Sequence, residues 1–174
     1  GVFGASASHA LQEGFVGSAG VTPTSNQTPA AAGKAAAMGV VTYADLWPGI
    51  SLTYDRPAGS ILRSTWQGAA GADPAQIALG YNAPVELDAA GNLHFAFENG
   101  GLSASAPIAW QVIDGHRIPV EVAFRIAQAQ TVGFDLGRYN PAYPLIIDPT
   151  LAWNTFLGGP DFENGNAIAV DGSG

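Results

Sequence analysis

Short stretches in which apolar and polar residues alternate recur along the chain from Val40 onward. This period of two places every second side chain on the same face and is typical of half-buried β-strands. No stretch of about twelve residues combines helical periodicity with good helix formers. The pattern predicts strands at residues 50–54, 61–66, 76–81, 93–97, 108–113, 120–126, 131–136, 145–147 and 151–156.

Residues that favour turns separate these predicted strands. Asp114-Gly115 lies between two apolar runs and indicates a tight hairpin, because such a turn requires positive φ angles. Asn99-Gly100-Gly101 and Ala90-Gly91-Asn92 indicate further turns. Many short strands at regular spacing predict an all-β fold, either an antiparallel β-sandwich or a partly open barrel. We expect it to carry an extended N-terminal arm and additional C-terminal strands.

Residues 1–42 differ from the rest of the chain because they are rich in Gly, Ala, Ser and Thr. The polar stretch 21–29 cannot build a core and predicts an extended arm or linker. Asn26-Gln27-Thr28 matches the acceptor pattern for N-linked sugar, so Asn26 is a candidate glycosylation site. The alternative is a plain flexible linker without sugar.

Charge is scarce along the whole chain. Only 11% of residues are charged, against roughly 25% in an average domain, and the net charge is −8 with six Lys and Arg. Such a chain lacks the basic surface that nucleic acids and anionic membranes require. No apolar run approaches the roughly 18 residues that a membrane span needs. Low surface charge favours association, because little repels one copy from the next.

One acidic segment near the C-terminus has the chemistry of a cation ligand. Asp161, Glu163, Asn164 and Asn166 provide oxygen atoms around Gly165, which makes them candidate ligands for Ca²⁺. The alternative is an acidic turn between two strands. No other cofactor is expected, and the absence of cysteine excludes disulfides and thiolate metal sites.

Catalytic residues are not predicted. His9, His94 and His116 lie far apart in sequence and lack the spacing of a metal or catalytic site. Asp114 and Glu121 are a conceivable carboxylate pair across a hairpin, but solvated strand ends explain them more simply. The sequence therefore favours a protein that is not an enzyme.

Aromatic residues leave two interpretations open. An exposed row of them would stack on the faces of sugar rings, whereas aromatics within strand motifs more often pack in a core. Core packing is favoured for Trp47, Trp66, Trp110, Trp153, Tyr43, Tyr54, Tyr81, Tyr139 and Tyr143.

Several motifs occur in a fixed order: Tyr43-Ala-Asp-Leu-Trp-Pro-Gly-Ile-Ser-Leu-Thr-Tyr54, Gly71-Ala-Asp-Pro74, Leu87-Asp-Ala-Ala-Gly-Asn-Leu93, Pro107-Ile-Ala-Trp-Gln111, Gly133-Phe-Asp-Leu-Gly-Arg-Tyr139 and Pro144-Leu-Ile-Ile-Asp-Pro149. This set resembles the β-rich domain that precedes seven-bladed β-propeller (SBBP) repeats in large secreted bacterial proteins. Residues 153–159 and 166–171 resemble the opening of one propeller repeat. The resemblance implies secretion and an extracellular or cell-surface setting, and it carries no catalytic residues.

These observations predict an arm over residues 1–42, a β-sandwich over 43–150 and a partial propeller-type repeat over 151–174. A single partial repeat cannot bury its apolar face alone. We therefore expect the arm, the terminal strands or both to complete the sheet of a neighbouring copy. The expected function is a self-assembling subunit of a surface filament or fibre. The alternative is an adhesin or carbohydrate-binding module of a larger secreted propeller protein.

Overall fold

The described chain is built mainly from β-strands. The structure is a computed structural model that describes residues 11–27, 38–57, 62–97, 100–128 and 131–154. The strands are β1 (Glu13–Phe15), β2 (Thr24–Gln27), β3 (Met38–Trp47), β4 (Ile50–Asp55), β5 (Leu62–Gly68), β6 (Leu79–Tyr81), β7 (Val85–Leu87), β8 (Leu93–Phe97), β9 (Gly100–Ala104), β10 (Ile108–Ile113), β11 (His116–Val120), β12 (Val122–Gln128), β13 (Thr131–Leu136), β14 (Leu145–Asp148) and β15 (Thr150–Asn154). A 3₁₀ turn spans Pro74–Gln76, and no helix in the described ranges is long and apolar enough to cross a membrane.

The strands form two antiparallel sheets that are not closed into a barrel. The smaller sheet has the order β1-β6-β13-β12. In the larger sheet β2, β3, β4 and β5 pair in succession, and the far edge of β5 is shared by β14 and β15. Strands β10 and β11 continue from β14, whereas β9, β8 and β7 continue from β15.

Two buried prolines divide the larger sheet at this branch. Pro149 separates β14 from β15, and Pro107 lies between β9 and β10. Proline has no N–H to donate to a ladder, and each of these two prolines lies where one strand has ended and the next has not begun. The sheet therefore splits into two wings, one ending at β11 and the other at β7.

The core lies between the two sheets. In the central strands alternate residues point inward, as in Ile50 and Leu52 of β4, which are almost fully buried. Trp66 of the larger sheet contacts Phe134 of the smaller sheet edge-on, with ring centroids 6.3 Å apart. Phe134 also stacks on Phe124 of the neighbouring strand. These contacts join the sheets into a sandwich, which confirms the predicted all-β fold class.

The predicted hairpin at Asp114-Gly115 is confirmed. Both residues adopt positive φ, 51° and 77°, and they connect β10 to β11. The predicted strand over 120–126 is instead two strands, because the chain leaves the larger sheet at Val120 and enters the smaller sheet at Val122. The predicted strand over 76–81 is also wrong in its first half. There Asp73 caps the 3₁₀ turn by accepting from the amide of Ala75.

Candidate functional site

The N-terminal arm docks on the rest of the domain through β1, which pairs with β6 over three residues. The Phe15 ring reaches the other sheet and contacts Tyr43, Trp47 and Trp66, with ring centroids 5.2, 6.2 and 6.3 Å apart. Aromatic pairs with such edge-on geometry each contribute about 0.5–1.5 kcal/mol beyond the area they bury. Phe15 is therefore the apolar anchor of the arm.

Glu13 is the polar anchor of the same strand. Its carboxylate accepts hydrogen bonds from the hydroxyl groups of Tyr54 and Tyr81, the second at 2.6 Å. Tyr54 belongs to the larger sheet and Tyr81 to the smaller, so the carboxyl group links both sheets. Burial raises the pKa of Glu13, and the two hydrogen bonds lower it by less. Burial and the neighbouring carboxylate also raise the pKa values of Tyr54 and Tyr81 well above the ordinary value.

The opposite edge of the smaller sheet is β12, which pairs only with β13 among the described strands. The amide of Gly137 donates to the carbonyl of Glu121 at 2.8 Å. Because bonded and non-bonded pairs alternate along an antiparallel ladder, the backbone groups of Val122, Phe124 and Ile126 point away from β13. Strand β12 thus presents the N–H and C=O groups of these residues at an edge that contains no proline.

The other free edges of the described sheets are shorter or blocked. Strands β1 and β7 have three residues each, and β2 has four. In β11, Pro119 pairs with Trp110. The pair beside a two-residue hairpin turn is hydrogen bonded, so this register turns the nitrogen of Pro119 toward the free edge. A proline at that position has no N–H to offer and blunts the edge. Strand β12 is therefore the edge best suited to strand addition.

Apolar side chains are exposed on the hairpin of β10 and β11, which precedes β12 in the chain. Ile108, Val112 and Ile118 are 53%, 49% and 44% exposed. A shallow groove of about 320 Å³ runs from this hairpin to Val122, the first residue of β12. Exposed apolar groups next to an open sheet edge are typical of a contact surface for another protein.

Comparison with known proteins identifies the family of the chain. A family model described as "Domain of unknown function (DUF7948)" matches residues 21–150. The chain belongs to this family. The matched part of the DUF7948 domain begins after β1, ends after β14, and includes β12. No curated protein and no solved structure matches the chain.

The predicted calcium ligands, Asp161, Glu163, Asn164 and Asn166, follow the matched DUF7948 region and lie outside the described residues. Within the residues that are described, no three acidic or histidine side chains are grouped so that they could hold a metal ion. The calcium site therefore stays a prediction.

The candidate glycosylation residue Asn26 lies on β2 and is exposed. Its side-chain oxygen accepts a hydrogen bond from the amide of Val40 at 2.7 Å, which holds the side chain against β3. Thr28, the third residue of the acceptor triplet, lies outside the described part of the chain. Glycosylation of Asn26 also stays a prediction.

The structure does not bring the candidate catalytic residues together. His94 lies on β8 and contacts Asp88 at 2.9 Å. His116 follows the turn between β10 and β11, in the other wing of the larger sheet. His9 lies outside the described residues. The conceivable pair of Asp114 and Glu121 is not formed, because the whole length of β11, about 16 Å, separates two exposed carboxylates.

A turn at Asp88 explains the lowered pKa of that residue. Hydrogen bonds from His94 first, and then from Asn92 and the amide of Ala90, hold the pKa of Asp88 well below its usual range. The sequence predicts such a turn at Asp88 to Asn92, in which the Asp side chain bonds the backbone. The contact between His94 and Asp88 is therefore part of this turn.

The aromatic residues mostly follow the packing interpretation. Tyr43, Trp47 and Trp66 are buried in the core. The ring of Trp110 is half-buried, and the guanidinium of Arg117 lies 3.6 Å from its centroid, where a sugar would stack. The side chain of Trp153 is outside the described set. This arrangement favours packing over a sugar-binding row.

The sequence did not indicate either anchor of the arm. Glu13 and Phe15 lie in the region predicted to be a linker, and the three residues of β1 are too few to show a strand pattern. One signal was present, since Glu13 is the only carboxylate in residues 1–42. A single acidic residue in a region of small residues has no defined meaning until its two tyrosine partners are known.

Proposed function

We propose that the DUF7948 domain is a non-enzymatic structural module that assembles with further copies by β-strand addition, and that β12 is its acceptor edge. The observation that carries the proposal is that no other described strand pairs with the outward backbone groups of Val122, Phe124 and Ile126. The resemblance to domains of secreted propeller proteins supports an extracellular or cell-surface setting for the assembly.

Two copies of β12 can pair with each other about a twofold axis. When Phe124 lies opposite Phe124 of a second copy, Val122 of each strand faces Ile126 of the other. All outward N–H and C=O groups then find partners, because these three residues share one ladder phase. Arg125 faces Ala123 in this register, so the pairing places no like charges directly opposite each other.

Backbone hydrogen bonds and the burial of apolar side chains together favour pairing of the two β12 strands. Each backbone hydrogen bond adds about 0.5–1.5 kcal/mol net, so six bonds add roughly 3–9 kcal/mol. Association costs at least about 4 kcal/mol in lost translational and rotational freedom. The half-buried side chains of Val122 and Ile126 and the exposed apolar hairpin supply further area to cover. We therefore expect reversible association that persists in salt, because these contacts are poorly screened.

Substitution of Ile126 by proline tests the proposal. Ile126→Pro removes one outward N–H per copy and leaves the β13 ladder intact, whereas the matched control Ile126→Ala removes the side chain but keeps the N–H. Sedimentation velocity over a range of concentrations should show association of the parent and of I126A. I126P should associate at least about tenfold more weakly than I126A, because the paired edge loses two hydrogen bonds.

A parent protein that stays monomeric at several hundred micromolar would overturn the proposal. Equal association of I126P and I126A would also overturn it, provided that circular dichroism shows both variants folded. The pair Val122→Pro and Val122→Ala repeats the comparison at the other end of the edge.

A further inference from the structure

We infer that the site occupied by β1 also accepts the arm of a second copy, and that the cluster of Glu13 with its tyrosines makes this exchange sensitive to acidity. The exchange uses the β1 edge and does not depend on β12.

The site recognises a short strand with defined chemistry. Its apolar part consists of Tyr43, Trp47 and Trp66, which surround the Phe15 ring. Its polar part consists of two phenol groups that donate to one carboxylate. Because all of these receptor groups lie on other strands, the site selects a segment in which an acidic and an aromatic residue are separated by one residue. The arm carries this segment as Glu13-Gly14-Phe15.

The arm is attached in a way that permits release. Its ladder with β6 spans three residues. The chain that follows contains Gly17 in a positive-φ conformation and Gly20, and it is held by backbone bonds from Val16 and Ala19 to the carbonyls of Ala78 and Leu46. An arm from a second copy would make the same contacts as the resident arm. Intramolecular and exchanged docking therefore differ only in how the chain is connected.

The acidity dependence follows from the groups that face Glu13. These are Tyr54 on β4, Tyr81 on β6 and Tyr43 on β3, and no described ion pair supplies a cation to the carboxylate. Burial raises the pKa of the docked carboxyl group, so docking retains a proton at pH values where the free arm has lost it. The docked state is thus favoured at low pH. Release should increase by up to about tenfold per pH unit between the ordinary and the raised pKa.

Engineered cysteines distinguish the two kinds of docking. Gly14 and Gly80 are direct partners in the ladder, neither has positive φ, and the chain has no cysteine of its own. A β-carbon at position 14 would lie 3.8 Å from the nearest atom, and one at position 80 would lie 3.3 Å from a methyl group of Val16. Separate Gly14→Cys and Gly80→Cys variants, mixed under mild oxidation, can form the ladder disulfide only between two molecules.

We expect the mixture to yield a covalent heterodimer on a non-reducing gel, well above the homodimers that each variant forms alone. Its rate of formation, divided by the intrinsic reactivity of the thiols at each pH, should rise severalfold from pH 5 to pH 7. The Glu13→Gln substitution, introduced into both variants, should remove this pH dependence relative to the intrinsic reactivity of the thiols, because glutamine stays neutral. The double variant in one chain is the control for geometry and should form an intramolecular disulfide.

If the double variant closes its disulfide while the mixture gives no heterodimer, exchange does not occur. If the rate of heterodimer formation has the same pH profile in the Glu13→Gln background, the proposed role of Glu13 in the pH dependence is wrong. Repetition in the Ile126→Pro background separates this result from the proposed function, because exchange should persist there. Strands β1 and β12 are opposite edges of one sheet, so copies joined at both edges would extend as a linear array; this last step alone rests on the proposed function.

Discussion

Removal of the Phe15 ring should detach the arm from the domain. The ring makes three edge-on contacts, with Tyr43, Trp47 and Trp66. Replacement of a fully buried phenylalanine by alanine costs about 3–5 kcal/mol. Phe15 is only partly buried, so we expect Phe15→Ala to lower the free energy of unfolding by about 2–3 kcal/mol. In a domain of this size that loss lowers Tm by about 5–10 °C.

The loss has an upper limit that is informative in itself. It cannot exceed the free energy of arm docking, because beyond that point the arm detaches and the rest of the sandwich stays folded. Urea unfolding followed by tryptophan fluorescence is a suitable assay, since Trp47 and Trp66 contact the ring directly. The matched control is Val16→Ala, because Val16 is 52% exposed and adjacent in the chain. Equal stability of the two variants, within about 0.5 kcal/mol, would refute docking through Phe15.

Three further substitutions test the packing. Gly133→Ala would place a β-carbon 2.9 Å from the carbonyl oxygen of Ile77 and should lower the free energy of unfolding in denaturant by about 1–3 kcal/mol. Gly14→Ala should lower it by less, because its β-carbon would lie 3.8 Å from the nearest atom, the carbonyl oxygen of Gly80. Equal losses in the two variants would contradict the close approach at Gly133. Gln111→Leu should destabilise by about 2–4 kcal/mol, because the buried amide donates to three loop carbonyls and accepts from one loop N–H; an unchanged Tm would contradict this role. Asp88→Ala should lower stability at pH 7 and reduce its loss on acidification, since a carboxyl with a lowered pKa stabilises the fold until the pH falls through that pKa; parallel pH profiles of parent and variant would contradict it.

Local patterns predicted the all-β class and several strands, because those strands are half-buried and alternate clearly. Leu93 and Phe95, for example, point inward with His94 between them. The break at Glu121 was not predictable, since both flanking segments alternate and only the sheet topology separates them. The docking site of β1 was even harder to predict from the sequence. Its groups come from distant parts of the chain, with Glu13 and Tyr81 68 residues apart, and no local pattern encodes such a contact.

The free edge was also beyond sequence reasoning. Which backbone groups of β12 point outward depends on the pairing phase with β13, and the contact between Gly137 and Glu121 reveals that phase. Pro119 is visible in the sequence, but its effect on the β11 edge follows only from the register of the hairpin. Edge availability is a property of topology rather than of composition.

Residue-resolved amide hydrogen exchange across a concentration series tests strand addition at β12 most directly. In dilute solution the amides of Val122, Phe124 and Ile126 should exchange quickly, because nothing in the described structure accepts their hydrogens. At concentrations where the protein associates, these three amides should slow by about tenfold or more, while Arg125, already paired with Gly133, should change little. Exchange at the three amides that does not depend on concentration would contradict the account.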